Sequence, residues 1–193
     1  ENLELPGVSI QVDALREYLY GSLMAHILGY VGSIPSDEVD DYLEDPDYDY
    51  EADDQVGLTG VEATQEDLLR GAKGEKLVEV DAYERQVELI QEDEAAQGNN
   101  LVLTLDVDLQ QVVQDALLAG MEDTGSKTGV AIVMNPQNGR VLSMVALPSY
   151  DNNLFSGGIS VADYVMLSED PLRPMVNHAI SGLYPPGSTF KIV

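Results

Sequence analysis

Two apolar runs, GVAIVM over 129–134 and VLSMVAL over 141–147, flank the stretch NPQNG. Asn-Gly suits the left-handed dihedrals of a tight turn, and runs rich in Val, Ile and Leu pair across such a turn as strands. The spacing predicts an antiparallel hairpin. Both runs are nearly continuous in apolar residues, so the hairpin is expected to be buried in a larger sheet. Just upstream, DLQQVVQDALLAGM repeats apolar residues at helical spacing, with Leu109, Val112, Val113, Ala116, Leu117 and Met121 on one face. Asp106 or Asp108 can cap that helix. Helix followed by hairpin points to an α+β fold.

The first hundred residues carry weaker signals. SLMAHIL (22–28) reads as a helical core closed by Gly29 and Gly32. In VGLTGVEATQEDLLRGAKGEKL (56–77), Gly57 and Gly60 are turn residues. A short helix is predicted from about Val61 to Leu69, with Thr64 and Asp67 suiting its early turns and Gly71 and Gly74 ending it. LVEVDAYERQVELIQ (77–91) partly alternates and reads as strand, and the polar EDEAAQGNN (92–100) is the best domain boundary. Beyond the hairpin, LPSYDNNLFSGG is loop. VADYVML and LRPMVNHAISGLY are short helical or irregular pieces leading to Pro185-Pro186-Gly187.

Charge narrows the function classes. The chain has 35 Asp and Glu against 9 Lys and Arg, a formal net charge of −26. Such a chain repels nucleic acid and anionic membranes, because neutralising phosphate needs a basic surface. A solvated acidic surface is the preferred reading, adaptation to a saline milieu the alternative. Eleven carboxylates fall between Asp37 and Asp54. Asp45, Asp47 and Asp49 resemble the start of a calcium loop, but Tyr50 and Val56 occupy the positions that need Gly and Glu. That stretch reads as a helix end followed by an exposed, tyrosine-dotted loop. There is no cysteine, hence no disulfide and no thiolate metal site. No cofactor is implied, and neither His26 nor His178 has a second ligand spaced for a metal. No apolar run approaches the roughly 20 residues needed to span a bilayer.

Chemistry concentrates at the end of the sequence, LYPPGSTFKIV. Pro185 and Pro186 stiffen the approach, and Gly187 turns the backbone without a side chain in the way. Ser188 falls near a helix start, with Lys191 three residues on and on the same face. A serine hydroxyl becomes a nucleophile only with a base in reach, and a lysine is that base only when its amine is neutral. Burial and the positive end of a helix both disfavour ammonium, and exposed N–H groups at that end can stabilise an oxyanion. Ser-x-x-Lys at a helix start is therefore a coherent acyl-transfer device. With 12 Ser and 4 Lys in the chain, chance alone yields about 0.25 such spacings. The competing reading is a helix cap beside a solvated lysine, and the spacing by itself does not decide.

The neighbouring residues do. YPPGSTFK resembles the active-site serine motif of the class B penicillin-binding proteins, peptidoglycan D,D-transpeptidases of cell elongation and division. HILGYVG (26–32), VGLTGVEATQEDLLRGAKGE (56–75), NLVLTLDVDLQ (100–110), NGRVLSMVALPSYDNN (138–153) and PLRPMVNHAISGLYPPGSTFK (171–191) follow in that family's order. The elongation-type branch, the penicillin-binding protein 2 group, is the more similar. The resemblance implies an elongated pedestal, or dimerisation, domain over 1–97 and the opening of a β-lactamase-like transpeptidase domain over 98–193. It implies Ser188 as the acylated nucleophile and Lys191 as its general base, acting on D-Ala-D-Ala stem peptides and trapped by β-lactams. The implied partner is a polytopic membrane glycosyltransferase bound through residues 1–90, with a homodimer possible and no nucleic acid. The implied location is the extracytoplasmic face of the bacterial membrane, with an anchor expected upstream of Glu1.

The chain also departs from the family. A Ser-x-Asn motif and a Lys-(Ser/Thr)-Gly strand should follow the nucleophile, and neither does. Lys127-Thr128-Gly129 precedes Ser188 and is expected at the entrance of the first hairpin strand, away from the site. The fragment is therefore expected to be inactive alone, with 148–193 poorly ordered or packed on another copy. Where the family more often has arginine, His178 stands, while His26 is expected to pack at a core edge. Two alternatives stay open: a non-catalytic scaffold, and a class D β-lactamase or sensor, which can also carry STFK.

Overall fold

The computed structural model describes residues 15–46, 49–83, 86–185 and 187–192. The chain opens with a helical turn, Gly21–Leu23, that runs into α1 (Ala25–Leu28). Gly29, at φ +76, ends α1 as expected, whereas Gly32 lies inside a strand. That strand, β1 (Val31–Ser33), follows α1 and precedes α2 (Val39–Leu43). Next, β2 (Gln55–Gly57) pairs antiparallel with β1, and Val31 faces Gly57. The helix expected over 61–69 is two, α3 (Gly60–Thr64) and α4 (Glu66–Leu69), broken at Gln65.

Two glycines explain how closely these pieces pack. A Cβ on Gly29 would lie 1.9 Å from the Thr59 carbonyl oxygen, and one on Gly60, at φ +62, 2.6 Å from the Gly29 nitrogen. Here the end of α1 crosses the start of α3 backbone to backbone. Gly29→Ala is expected to cost about 2–5 kcal/mol, left-handed strain adding to the displaced chain. The drop in thermal midpoint measures it, and an unchanged midpoint would contradict this crossing.

The region expected as one strand over 77–91 is a hairpin of β3 (Glu75–Val80) and β4 (Gln86–Asp93). Its register sets Glu75 opposite Asp93 and Glu79 opposite Glu88. Like charges so placed repel, and among the described residues the neighbouring Lys76–Glu92 pair, at 2.6 Å, offsets them. The connector after it is tied down rather than free: Ala72 and Ala96 exchange backbone hydrogen bonds, and Asn99 N donates to Leu68 O.

Helix α5 (Val107–Thr124) is capped by Asp106, whose side chain accepts from Leu109 N at 3.0 Å, and ends at left-handed Gly125. The expected hairpin follows as β5 (Gly129–Met134) and β6 (Val141–Leu147), antiparallel, with Gly139 at φ +72 in its turn. Among the described residues it forms a two-stranded sheet by itself, not part of a larger one. Accordingly β6 is largely buried while Ile132 and Met134 of β5 are exposed. Of α5's expected face, Leu109, Val113, Leu117 and Met121 are half-buried, and Val112 and Ala116 are exposed.

Two cores hold the molecule. Ile34, Tyr50 and Val56 form one, with Val39, Tyr42 and Leu58 around them. The loop expected to expose its tyrosines thus buries Tyr50, which meets Tyr42 edge-on at 4.9 Å and carries the Arg70 guanidinium 3.6 Å above its ring. Asp47, from the calcium-like stretch, lies outside the described residues. The second core joins Ala25 to Tyr150, Phe155 and Leu167, with Tyr30, Leu154, Ile159 and Met175 packed against them. Tyr30 stacks on Phe155 at 3.7 Å and 17°.

This second core corrects the expectation for the last third of the chain. Residues 149–182 pack on residues 16–30 of the same chain. They do so through α6 (Val161–Ser168) and the turns around it, while α7 (His178–Ser181) packs on β5 and β6. Asparagines stitch the seam. Asn153 accepts from Tyr18 N at 2.8 Å and donates to Tyr18 O at 3.0 Å, and Asn152 donates to Gly29 O at 2.8 Å.

Candidate active site

Ser188 and Lys191 lie in one 3-10 turn, Gly187–Ile192. In that geometry residues three apart eclipse, so the two side chains share a face more closely than in an α-helix. Gly187 enters the turn at φ +56, a backbone that glycine adopts without strain. Upstream, Asn177 caps α7 by accepting from Ala179 N at 3.0 Å. Leu183 and Tyr184 then run exposed toward the turn.

The structure thus brings the two expected site residues together and leaves both exposed. A hydroxyl and an amine on one face are the two groups that acyl transfer by a serine–lysine pair requires. What such a device also needs, desolvation and fixed donors for an oxyanion, is not supplied by the described residues. Lys127-Thr128-Gly129 stands at the start of β5, as expected. Thr128 lines a shallow groove with Arg173, Val176, His178 and Ser181–Tyr184, and neither Ser188 nor Lys191 reaches it.

Both histidines hold backbone. His26 donates from Nε2 to the Pro174 carbonyl at 2.7 Å, and His178 to the Leu172 carbonyl at 3.1 Å. Burial, with His178 second, lowers the His26 pKa to about 4. A charged centre lies away from the Gly187–Ile192 turn. Arg16 grips the nearly buried Glu62 with two contacts of 2.9 and 3.0 Å. Beside it, Glu66 accepts from Gly57 N at 2.8 Å, and burial raises its carboxyl pKa.

Sequence reasoning missed the buried amides. Gln110 is 1% exposed and joins α5, β6 and Leu23. A polar residue one step off an apolar helix stripe gives no such signal. DNN at 151–153 reads only as loop, although its two asparagines bind the first segment of the chain.

A serine and a lysine three residues apart on one 3-10 turn behind a glycine are the arrangement expected of a serine acyl-transfer site. Residues 1–103 match the penicillin-binding protein dimerisation domain, and residues 129–193 the penicillin-binding protein transpeptidase domain. The chain belongs to the class B penicillin-binding proteins, which join these two domains. It is 40% identical over 187 residues to peptidoglycan D,D-transpeptidase MrdA of Escherichia coli K12, covering 96% of this chain and 28% of that protein. To the MrdA of Haemophilus influenzae it is 38% identical over 189 residues, 97% of this chain and 28% of the relative. The chain thus spans under a third of these relatives' length. Penicillin-binding protein 2 of Helicobacter pylori, solved in complex with MreC, superposes at a TM-score of 0.74 and 34% identity. It matches 92% of this chain and 31% of its own. The dimerisation-domain match over the first 103 residues separates the chain from a class D β-lactamase.

Proposed function

We propose that the chain is part of a peptidoglycan D,D-transpeptidase, with 1–97 as its pedestal and 98–193 as the opening of its catalytic domain. The eclipsed Ser188–Lys191 turn carries this reading, and the similarity to two D,D-transpeptidases supports it. Ser188 Oγ attacks the carbonyl of the penultimate D-alanine in a stem peptide, and Lys191 Nζ accepts its proton. The tetrahedral oxyanion collapses, the C–N bond breaks, and the departing D-alanine amine takes the proton from Lys191. An amine of a second peptide then attacks the ester, forms the crosslink and frees Ser188. β-Lactams enter by the same first step and stay bound. Incubating the full-length protein with a penicillin and mapping the adduct tests this; an adduct anywhere but Ser188 would reject it. The exposure of both residues favours a scaffold role for these 193 residues alone, with no stoichiometric penicillin binding.

The protein would work on the extracytoplasmic face of the membrane, anchored upstream of Glu1; no described helix is long and apolar enough to cross a bilayer. Its pedestal would bind a polytopic glycosyltransferase. The β3–β4 hairpin supports that reading, because Leu77, Val87 and Ile90 are all exposed on this one two-stranded element. Replacing these three with serine is expected to weaken glycan synthesis in a reconstituted pair at least about 5-fold, the loss of a modest contact free energy. Unchanged synthesis would remove the hairpin from the interface.

A further inference from the structure

Two histidines grip one strained turn. The carbonyls that accept from His26 and His178, those of Pro174 and Leu172, flank Arg173. Arg173 has φ +51 and is the one non-glycine residue with left-handed backbone among the described residues. A long side chain holds that conformation only where its surroundings impose it. Asp170 closes the turn from the other side: its Oδ1 accepts from Leu172 N at 2.8 Å and its carbonyl from Arg173 N at 2.9 Å. Asn177 adds a second mooring, donating from Nδ2 to the His26 carbonyl at 3.1 Å. The segment leading to Ser188 is thus held on α1 by both the ring and the backbone of His26.

A carbonyl only accepts, so each ring must carry its proton on Nε2. In His26 this leaves Nδ1 as a bare acceptor, and that atom is buried with no donor among the described residues. A proton there would be a buried charge with no acceptor. The titratable groups around the ring are His178 of α7 and Tyr150, whose ring lies 5.5 Å away, with Tyr30 beyond Tyr150 at 6.2 Å. Neither imidazole has an ion-pair partner among the described residues.

We propose that His26 is the acid-sensitive element of a clip, completed by His178, that positions the Ser188 turn: neutral, His26 holds residues 170–182 on α1, and its protonation releases that segment. Both act through the backbone of the Leu172–Pro174 turn and touch no substrate, so they are positioning residues. The effect on acylation rests on the reading of Ser188 as nucleophile; the clip itself does not. His26 is held down at about 4 in the folded chain, below the ordinary value of 6.5. The clip is therefore intact at and above about pH 6.5, and its contribution is lost as pH falls toward about 4. An enzyme outside the cell membrane meets the pH of its medium, and this clip would slow crosslinking as that medium turns acid.

The test uses the full-length protein and hydrogen exchange of residues 170–185, referred to α5 in the same sample to remove the intrinsic pH effect. Relative protection is expected to fall at least about 10-fold between about pH 6.5 and 4 in the wild type. His26→Gln keeps an N–H donor for Pro174 but does not titrate, and should hold its protection. A flat ratio in the wild type, or an equal fall in His26→Gln, overturns the clip. Should the variant not fold, an NMR titration of the wild-type His26 ring decides: a midpoint near 4 supports the clip and one above 6 overturns it. Acylation by a fluorescent penicillin is followed in parallel. It should slow about 10-fold more from pH 6.5 to 4.5 in the wild type than in His26→Gln, a fall common to both belonging to the general base. No adduct in either protein at any pH rejects Ser188 as nucleophile and leaves exchange to judge the clip.

Discussion

Replacing Ser188 with alanine in the full-length protein is expected to abolish the covalent β-lactam adduct and to lower crosslinking at least about 10³-fold, since the variant lacks the hydroxyl that would carry the acyl group. Lys191→Ala acts differently. The nucleophile remains, but its proton has nowhere to go, so acylation slows by roughly 10²–10⁴-fold while the adduct, once formed, is still on Ser188. The two variants together should lose little more than Ser188→Ala alone, because groups that act as a unit are not additive. Intact-mass spectrometry over time measures all three. A Ser188→Ala protein that still gains one penicillin would refute the assignment. A Lys191→Ala protein acylated at the wild-type rate would leave the eclipsed geometry without a catalytic meaning.

The second large effect is expected far from that turn, at Gln110. Its Oε1 accepts from Ser143 Oγ at 2.8 Å and Met144 N at 2.9 Å, while its Nε2 donates to Met144 O at 2.8 Å and Leu23 O at 3.0 Å. An amide has two donors and two acceptor sites, so every one is used. Gln110→Leu keeps the bulk and strands four polar partners, each costing about 1–3 kcal/mol when buried and unpaired, though not additively. A loss of about 4 kcal/mol is expected, read as a fall of the thermal midpoint by roughly 10 °C. Gln110→Glu should also be destabilised, because it removes both donors and adds a buried charge. A loss under about 1 kcal/mol for Leu would mean that water reaches Ser143 and Met144.

Gln110 also shows where the sequence stops being legible. Hydrophobic periodicity located α5, with Asp106 one of two candidate caps, and the Asn138-Gly139 turn located the β5–β6 hairpin, because those signals are local. The same periodicity chose Val112 and Ala116 for the buried face, and both are exposed. What decides burial is the position of β6 and Leu23 in space, and no spacing within the helix encodes that. The β3–β4 hairpin was read as one strand for a different reason. Its turn begins at Asp81 and Tyr83, where Asp81 Oδ1 accepts from Tyr83 N at 2.8 Å, and DAYERQ has no Gly, Pro or Asn to announce a reversal. Tyr50 was placed on the surface because carboxylates surround it in sequence, yet Arg70, 20 residues later, covers its ring. At the candidate site the placement of Gly187, Ser188 and Lys191 on one turn was legible, since their spacing is local. Their exposure was not, because walls come from other parts of a fold.

The aromatic core that Ala25 and Tyr30 share with Tyr150 and Phe155 has a consequence for how such proteins diversify. A pedestal that met its neighbour only through a linker could be traded between relatives by recombination at 97/98. This one could not be traded alone, because a hybrid joined there would set one parent's Tyr30 against the other's Phe155 and one parent's Gly29 against the other's Asn152. Residues 16–30 and 149–182 should therefore be inherited together, as a single unit of exchange interrupted by everything between them.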